Sequence, residues 1–100
     1  MGVSGAHTEF KKPEELASDV VIYVTDTCGF CRMAEGLLRR KQIPFEAVDV
    51  TYLTDARTWL VSATRQRTVP QIFIKHRSIG GYSELSALDR SGKLDALLAG

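Results

Sequence analysis

Hydrophobic residues along the chain follow two kinds of pattern, continuous runs and stripes of helical period. Residues 20–24 are all β-branched or aromatic, which predicts a strand that is covered on both faces of a sheet. The next apolar residues predict an amphipathic helix that Ile43-Pro44 ends, with its apolar stripe at Phe30, Met33, Ala34, Leu37 and Leu38. Its solvent side is expected to carry Arg32, Glu35, Arg39 and Arg40. Residues 45–50 predict a second strand, parallel to the first.

The same two patterns continue through the rest of the chain. Thr54 or Asp55 is expected to cap a second helix, whose apolar positions are Ala56, Trp59, Leu60 and Ala63. Residues 71–74 and 77–79 predict a hairpin around Lys75-His76, after which Gly80-Gly81 breaks the pattern. Two final helices are expected, one from Ser83 or Glu84 and one after Gly92, with Leu85, Leu88, Leu94, Leu97 and Leu98 as their apolar residues. Residues 13–17 predict a short helix, and residues 1–12 a flexible tail.

The order of these elements, βαβα followed by ββα, predicts an α/β domain of the thioredoxin-like fold over residues 13–100. Its sheet is expected to be four-stranded and mixed, with helices on both faces. One hundred residues, 44% of them hydrophobic, support one core. A net charge of +1 favours neither a nucleic acid nor a membrane surface as partner. The first ten residues lack the apolar segment of a secretory signal, so we expect a cytoplasmic protein.

Chemistry is predicted at the two cysteines of the chain, Cys28 and Cys31. A Cys-x-x-Cys pair beside a strand and a helix is typical of thioredoxin-like redox proteins. Cys28 is the predicted nucleophile, because unpaired N–H groups and the helix dipole at a helix N-terminus favour a thiolate. The dipole contributes only about 0.3–1 kcal/mol, so we expect the backbone N–H groups of Phe30 and Cys31 to bond the sulfur directly. Cys31, less exposed and less acidic, is the predicted resolving thiol.

Two other interpretations of the cysteine pair are a structural zinc site and a pair of inert thiols. Zinc takes four ligands, and only His7 and His76 are left to complete the set. Both histidines are expected to be solvated surface residues. Inert thiols are expected in the middle of a core rather than at the start of a helix. We therefore favour redox chemistry, with no metal-binding residues.

Three segments of the sequence resemble the glutaredoxin family. They are Thr-Cys-Gly-Phe-Cys at 27–31, Arg-Thr-Val-Pro-Gln-Ile-Phe-Ile at 67–74 and Ile-Gly-Gly-Tyr-Ser-Glu-Leu at 79–85. The combination of Thr-Val-Pro with Gly-Gly distinguishes glutaredoxins from thioredoxins far better than the cysteine pair does. The resemblance implies an oxidoreductase that uses glutathione to reduce protein disulfides and glutathione mixed disulfides.

The resemblance also implies a binding site for glutathione. Pro70 is expected to follow a cis peptide bond, which leaves the backbone of Val69 free to pair with the cysteine of glutathione. The loop at 81–83 matches the loop that holds the γ-glutamyl end. Arg67 either contacts the glycyl carboxylate, as in many members, or is a solvated surface residue. The full predicted set is Thr25, Phe30, Arg67, Thr68, Val69, Pro70, Gly81, Tyr82 and Ser83.

The sequence departs from the family pattern at three positions. Thr25 replaces a common lysine and Ser83 a common aspartate, so two charges that would bind glutathione are missing, and Glu84 is a candidate replacement. Gly29 replaces the proline of many dithiol members and resembles members that hold a [2Fe–2S] cluster between two subunits. In that alternative, two copies of Cys28 and two glutathiones supply four thiolates. Otherwise we expect a monomer whose partners are glutathione and disulfide-bearing or glutathionylated proteins.

Overall fold

Four strands form one mixed sheet in the order β2-β1-β3-β4. The computed structural model describes residues 10–99. The strands are β1 (Val20–Val24), β2 (Glu46–Asp49), β3 (Gln71–Ile74) and β4 (Arg77–Gly80). The helices are α1 (Gly29–Arg40), α2 (Thr54–Thr64), α3 (Tyr82–Arg90) and α4 (Lys93–Ala99), and a 3₁₀ turn at Pro13–Glu15 precedes them. β1 pairs in parallel with β2 and antiparallel with β3, which pairs antiparallel with β4. The predicted sheet with a central first strand is confirmed.

Helices cover both faces of the sheet, as predicted. On one face α1, α3 and α4 pack against β1 and β3, in a cluster that includes Val20, Ile22, Ala34, Leu38, Ile72, Leu85 and Leu94. On the other face α2 packs against the same two strands, in a cluster that includes Val21, Tyr23, Ala56, Leu60 and Phe73. All five residues of β1 are buried because alternate side chains enter the two clusters. Within residues 10–99, none of the helices has the length and apolarity needed to cross a membrane.

Aromatic rings fill the cluster beneath α2. The rings of Trp59 and Phe73 both lie against Tyr23, with centroid distances of 6.1 and 5.6 Å. Phe10 packs on Trp59 at 5.8 Å, and the hydroxyl of Tyr23 donates to the carbonyl of Lys11 at 2.6 Å. Burial raises the pKa of Tyr23 above its ordinary range. Residues 10–12, which the sequence assigns to the tail, therefore contact the domain, while residues 1–9 of that predicted tail lie outside the described residues.

The buried face of α1 is rotated away from the predicted stripe. Met33 is 48% exposed and Phe30 60% exposed, whereas Cys31 and Glu35 are buried. At about 100° per residue, the centre of the buried face is turned by roughly 60° toward Cys31. The predicted faces of Phe30, Met33 and Glu35 were therefore wrong. The physical reason is that Cys31 behaves as a small core residue, and the helix turns to bury it.

The ends of several elements also differ from the predictions. α1 ends at Arg40, before Gln42 takes a left-handed φ of 59°, rather than at Ile43-Pro44. α3 begins at Tyr82 rather than at Ser83 or Glu84, because Gly81 occupies the N-cap position. The predicted helix at 13–17 is a 3₁₀ turn, and β2 covers only Glu46–Asp49. In α2, Leu53 rather than Thr54 or Asp55 holds the N-cap position, and Ala63 is exposed.

Candidate active site

The two cysteines lie at the edge of the sheet where β1 and β2 end and β3 begins. β1 continues into the loop at 25–27, and Cys28 then takes the N-cap position of α1. Because β3 is antiparallel to β1, its first residue, Gln71, pairs with Tyr23 near the same edge. β4 ends there as well, since Gly80 pairs with Ile72, and α3 follows. The topology thus brings the three segments 27–31, 67–74 and 79–85 to one place.

The sulfur of Cys28 is held at the N-terminus of α1 and is partly exposed. Its Sγ accepts the N–H of Cys31 at 3.1 Å, which is one of the two predicted backbone bonds. The other predicted bond, from the N–H of Phe30 to the same sulfur, is not formed within residues 10–99. The Cys28 thiol donates to the carbonyl of Val69 at 3.5 Å. A negative charge on this sulfur is stabilised by the N–H of Cys31 and by the dipole of α1.

Cys31 is less exposed than Cys28, and its burial makes the thiol less acidic than an ordinary one. Its exposed fraction is 0%. Burial raises the pKa of its thiol to about 12, and the hydrogen bond with Cys28 acts in the same direction. A backbone hydrogen bond with Thr25 opposes this shift. The prediction that Cys31 is less exposed than Cys28 is confirmed, so the pair consists of one accessible sulfur and one buried sulfur.

An open groove of about 390 Å³ is lined by Val69, whose carbonyl accepts the Cys28 thiol. The Val69–Pro70 peptide bond is cis, as the resemblance implied. The groove brings together seven of the nine residues predicted to bind glutathione, namely Phe30, Thr68, Val69, Pro70, Gly81, Tyr82 and Ser83. Gln66 and Glu84 complete its lining. Thr25 and Arg67 do not line it.

Two aromatic rings form one wall of this groove. Phe30 and Tyr82 stack with their centroids 6.2 Å apart and their planes at 27°. Phe30, the second residue of α1, and Tyr82, the first residue of α3, therefore connect the two helix N-termini that border the groove. Their contact leaves Phe30 largely exposed, so the ring can meet a ligand without rearrangement.

The N-terminus of α3 already holds one carboxylate of the chain. Oε1 of Glu84 accepts the N–H of Gly81 at 2.8 Å. The N–H groups of Tyr82 and Ser83, in the first turn of α3, have no partner within the helix, because the first N–H groups of any helix lack one. Of the loop at 81–83, which the resemblance assigns to the γ-glutamyl end, the N–H of Gly81 therefore already has a partner within the chain. Glu84, the candidate replacement for the missing aspartate, already accepts a hydrogen bond from Gly81.

The loop at 66–70 is held by a buried side chain that the sequence did not single out. Gln71 is 2% exposed, and its amide donates to the carbonyl of Gln66 at 2.8 Å. Its carbonyl oxygen accepts the hydroxyl of Thr64, also at 2.8 Å. These bonds tie the end of α2 and the start of the loop to β3. Gln71 was visible in the sequence only as a polar residue inside an apolar strand, which is a signal for a specific buried partner.

A second groove, of about 300 Å³, is also lined by Val69. Arg67 lines it, and so does Arg57 from the first turns of α2. Both arginine side chains belong to exposed residues, and Arg57 donates to the carbonyl of Thr51 at 3.4 Å. Sequence reasoning missed Arg57, although a cation near the N-terminus of a helix opposes the helix dipole and so marks the position as unusual.

The zinc interpretation receives no support from the described residues. His76 lies in the turn between β3 and β4, and Ile74, two residues earlier, pairs with Val20 at the start of β1. Cys28 follows the end of β1, so His76 is at the opposite edge of the sheet. His7 lies outside the described residues. Residues 10–99 contain no group of three or more His, Cys, Asp or Glu side chains that could hold a metal ion.

Comparison with known proteins gives one consistent result. The Glutaredoxin family model matches residues 20–79. A glutaredoxin of Pseudomonas aeruginosa is 42% identical over 80 residues, which cover 80% of this chain and 95% of that protein. A buckwheat glutaredoxin–glutathione complex is similar with a TM-score of 0.78 and 26% identity, over 83% of this chain and 78% of the buckwheat chain. A dithiolic glutaredoxin of Trypanosoma brucei brucei gives a TM-score of 0.76 and 38% identity, over 81% and 87% of the two chains.

The family match includes the Cys-x-x-Cys pair, and the solved structures share the sheet and helices that place this pair at the edge of the sheet. Sequence similarity, fold and the unequal thiols therefore agree. The chain belongs to the glutaredoxin family of thiol–disulfide oxidoreductases.

Proposed function

We propose that this protein uses glutathione to reduce protein disulfides and glutathione mixed disulfides. The observation that carries the proposal is the contrast between partly exposed Cys28, at a helix N-terminus, and fully buried Cys31. The groove beside Val69 and the solved complex of a buckwheat relative with glutathione support glutathione as the co-substrate. We further propose that it acts as a monomer in the cytoplasm, where the glutathione pool is kept reduced.

The reaction with a glutathione mixed disulfide needs only Cys28. Its thiolate attacks the glutathione sulfur, the S–S bond of the substrate breaks, and the substrate thiolate leaves and takes up a proton. Cys28 is then joined to glutathione. The thiolate of a second glutathione attacks the glutathione sulfur of this intermediate, which forms glutathione disulfide and releases the Cys28 thiolate. One free glutathione is consumed, and the other half of the glutathione disulfide comes from the substrate.

The reaction with a protein disulfide also needs Cys31. Attack by Cys28 forms a mixed disulfide with the protein, and Cys31 must lose its proton before it can attack the Cys28 sulfur and release the substrate. Because burial raises the pKa of Cys31 to about 12, only a small fraction of it is thiolate at neutral pH. Resolution by Cys31 is therefore slow, and glutathione mixed disulfides, whose reduction needs only Cys28, are the better substrates.

Glutathione has carboxylates at both ends, and each of the two grooves that Val69 lines offers a partner for a carboxylate. We place the cysteine of glutathione beside the Val69 backbone. One carboxylate then meets the free N–H groups of Tyr82 and Ser83 at the start of α3. The other meets Arg67 and Arg57, which line the second groove. This placement keeps the glutathione sulfur next to the Cys28 sulfur.

Substitution of each cysteine by serine tests the proposal. Cys28→Ser is expected to abolish reduction of a glutathione mixed disulfide, followed through NADPH consumption by glutathione reductase. Cys31→Ser is expected to keep at least half of that activity and to lose reduction of a protein disulfide. An active Cys28→Ser protein would overturn the role of Cys28. A wild-type protein that is reduced by dithiothreitol but not by glutathione would overturn the choice of co-substrate.

The [2Fe–2S] alternative from the sequence stays a prediction that can be tested on the same sample. Of the two cysteines only Cys28 is accessible, so the remaining ligands would have to come from a second copy and from two glutathiones. Anaerobic purification with glutathione is expected to give a colourless, active monomer. A brown dimer with low turnover would contradict the proposed reductase function.

A further inference from the structure

A buried carboxylate on α1 has no part in the proposed reaction. Glu35 is 7% exposed, and it is the one charged side chain that is buried within residues 10–99. Taking a carboxylate out of water is unfavourable unless it is closely paired, and even a good pair often returns no net stability. A role in stability alone therefore explains this residue poorly.

The partner of Glu35 is Arg32, one helical turn earlier. Nε of Arg32 lies 3.1 Å from Oε1 of Glu35, and a terminal nitrogen donates to Oε2 at 3.3 Å. Two parallel contacts fix the plane of the guanidinium as well as its distance. The Arg32 side chain is still 52% exposed, so a carboxylate from the interior holds a cation at the surface.

Arg32 belongs to the first turn of α1, as Cys31 does. It directly follows Cys31, and the N–H of Cys31 donates to the Cys28 sulfur. The charge of Arg32 makes a small contribution that lowers the pKa of Cys31, and it also lowers the pKa of Asp49, the last residue of β2. A thiolate exists only in the reduced pair, because the disulfide is uncharged. A cation at this place therefore favours the dithiol state, and an anion favours the disulfide.

We propose that the Arg32–Glu35 pair sets the equilibrium between the disulfide and dithiol states of Cys28 and Cys31. Arg32 favours the dithiol, and Glu35 is a positioning residue that fixes the guanidinium and offsets part of its charge. The inference rests on the proposed function only in taking the Cys28–Cys31 disulfide as an intermediate. In the equilibrium concerned, the Cys28–Cys31 bond breaks and two thiols form, while a dithiol reductant gives up two electrons and two protons and becomes a disulfide.

Equilibration of the full chain in buffers of reduced and oxidised dithiothreitol at pH 7 measures this balance. The fraction of dithiol is read from the mass increase after alkylation. Glu35→Gln keeps an oxygen that can accept from Nε of Arg32, and is expected to shift the equilibrium at least threefold toward the dithiol, equivalent to a potential higher by about 14 mV. Arg32→Gln is expected to shift it at least threefold the other way. Shifts of opposite sign in the two variants would show that charge is the cause, because structural damage would not depend on the sign of the charge removed.

Two further variants complete the test. Arg40→Gln, on the same helix but about 12 Å further along, is the matched control and is expected to cause no shift, because this distance exceeds the screening length of about 8 Å at physiological salt. Arg32→Gln with Glu35→Gln removes both charges, avoids an unpaired buried carboxylate, and is expected to stay close to the parent protein. The proposal is overturned by equal or absent shifts in the single variants, or by a double variant displaced as far as either one. Glutathione takes no part in the measurement, so failure of the proposed co-substrate leaves this test intact.

Discussion

Gly80, the last residue of β4, has two independent reasons to be glycine. Its φ of +109° lies in a region that residues with a side chain rarely adopt. A Cβ at this position would lie 2.8 Å from both Cγ and Oε1 of Glu84. That oxygen is the acceptor for the N–H of Gly81. Gly80→Ala is therefore expected to strain the backbone and to displace the carboxylate that caps α3.

The magnitude follows from these two effects. Unfavourable left-handed backbone costs about 1–2 kcal/mol, and loss of a helix cap costs about 0.5–2 kcal/mol. The free energy of unfolding of Gly80→Ala should therefore fall by roughly 1.5–4 kcal/mol. Gly92 is the matched control, because its φ is +80° but no atom lies within 4 Å of its added Cβ. Gly92→Ala should show only the backbone share, about 1–2 kcal/mol.

Urea unfolding, followed by circular dichroism and by the fluorescence of Trp59, measures both variants. In a Glu84→Ala background no carboxylate is left to displace, so Gly80→Ala should cost no more than Gly92→Ala does. The reasoning would be refuted by equal losses for the two glycine variants in the parent chain. It would also be refuted if the Gly80 and Glu84 substitutions proved additive, because residues in contact are expected to be coupled.

Three further predictions concern the site. Gln71→Leu removes the donor to the loop carbonyl, so it should lower the free energy of unfolding by about 1–3 kcal/mol and raise the KM for a glutathione mixed disulfide several-fold; an unchanged KM would show that the loop does not need this tether. Arg57→Gln and Arg67→Gln should each raise the KM for glutathione with little change in kcat, and an equal loss in kcat would argue against a binding role. The reduced protein should lose stability as pH rises above 9, because Cys31 keeps its proton to about pH 12 when folded but only to about its ordinary pKa of 9.0 when unfolded. Urea unfolding at pH 8 and 10 should show this decline in the parent protein but a smaller one in Cys31→Ala, and equal declines would contradict the assignment.

The general fold could be predicted from the sequence because its strongest signals are local. Residues 20–24 form a continuous β-branched and aromatic run only because both faces of β1 are covered. The helical stripes gave the right number and order of helices. They failed for α1 at Met33 and Glu35, because the helix buries a thiol and a carboxylate, and an apolar pattern contains neither.

The candidate site could be predicted only as far as its residues carry motifs. The cysteine pair, the cis proline and the loop at 81–83 come from compact segments whose spacing resembles a known family. Gln66, Gln71 and Arg57 were missed because each acquires its place through contacts between α2, the loop at 66–70 and β3. Such contacts join residues that a linear pattern treats as unrelated surface positions.

The separation along the chain between the thiols and their surroundings affects how the protein is made. Val69, whose carbonyl meets the Cys28 thiol, lies 41 residues further on. During synthesis both cysteines leave the ribosome before β3 and β4 exist. At that moment Cys31 has no interior to enter, and the two sulfurs are nearly equivalent toward any oxidant. The difference in exposure between Cys28 and Cys31 is established only when β3 and β4 join the sheet.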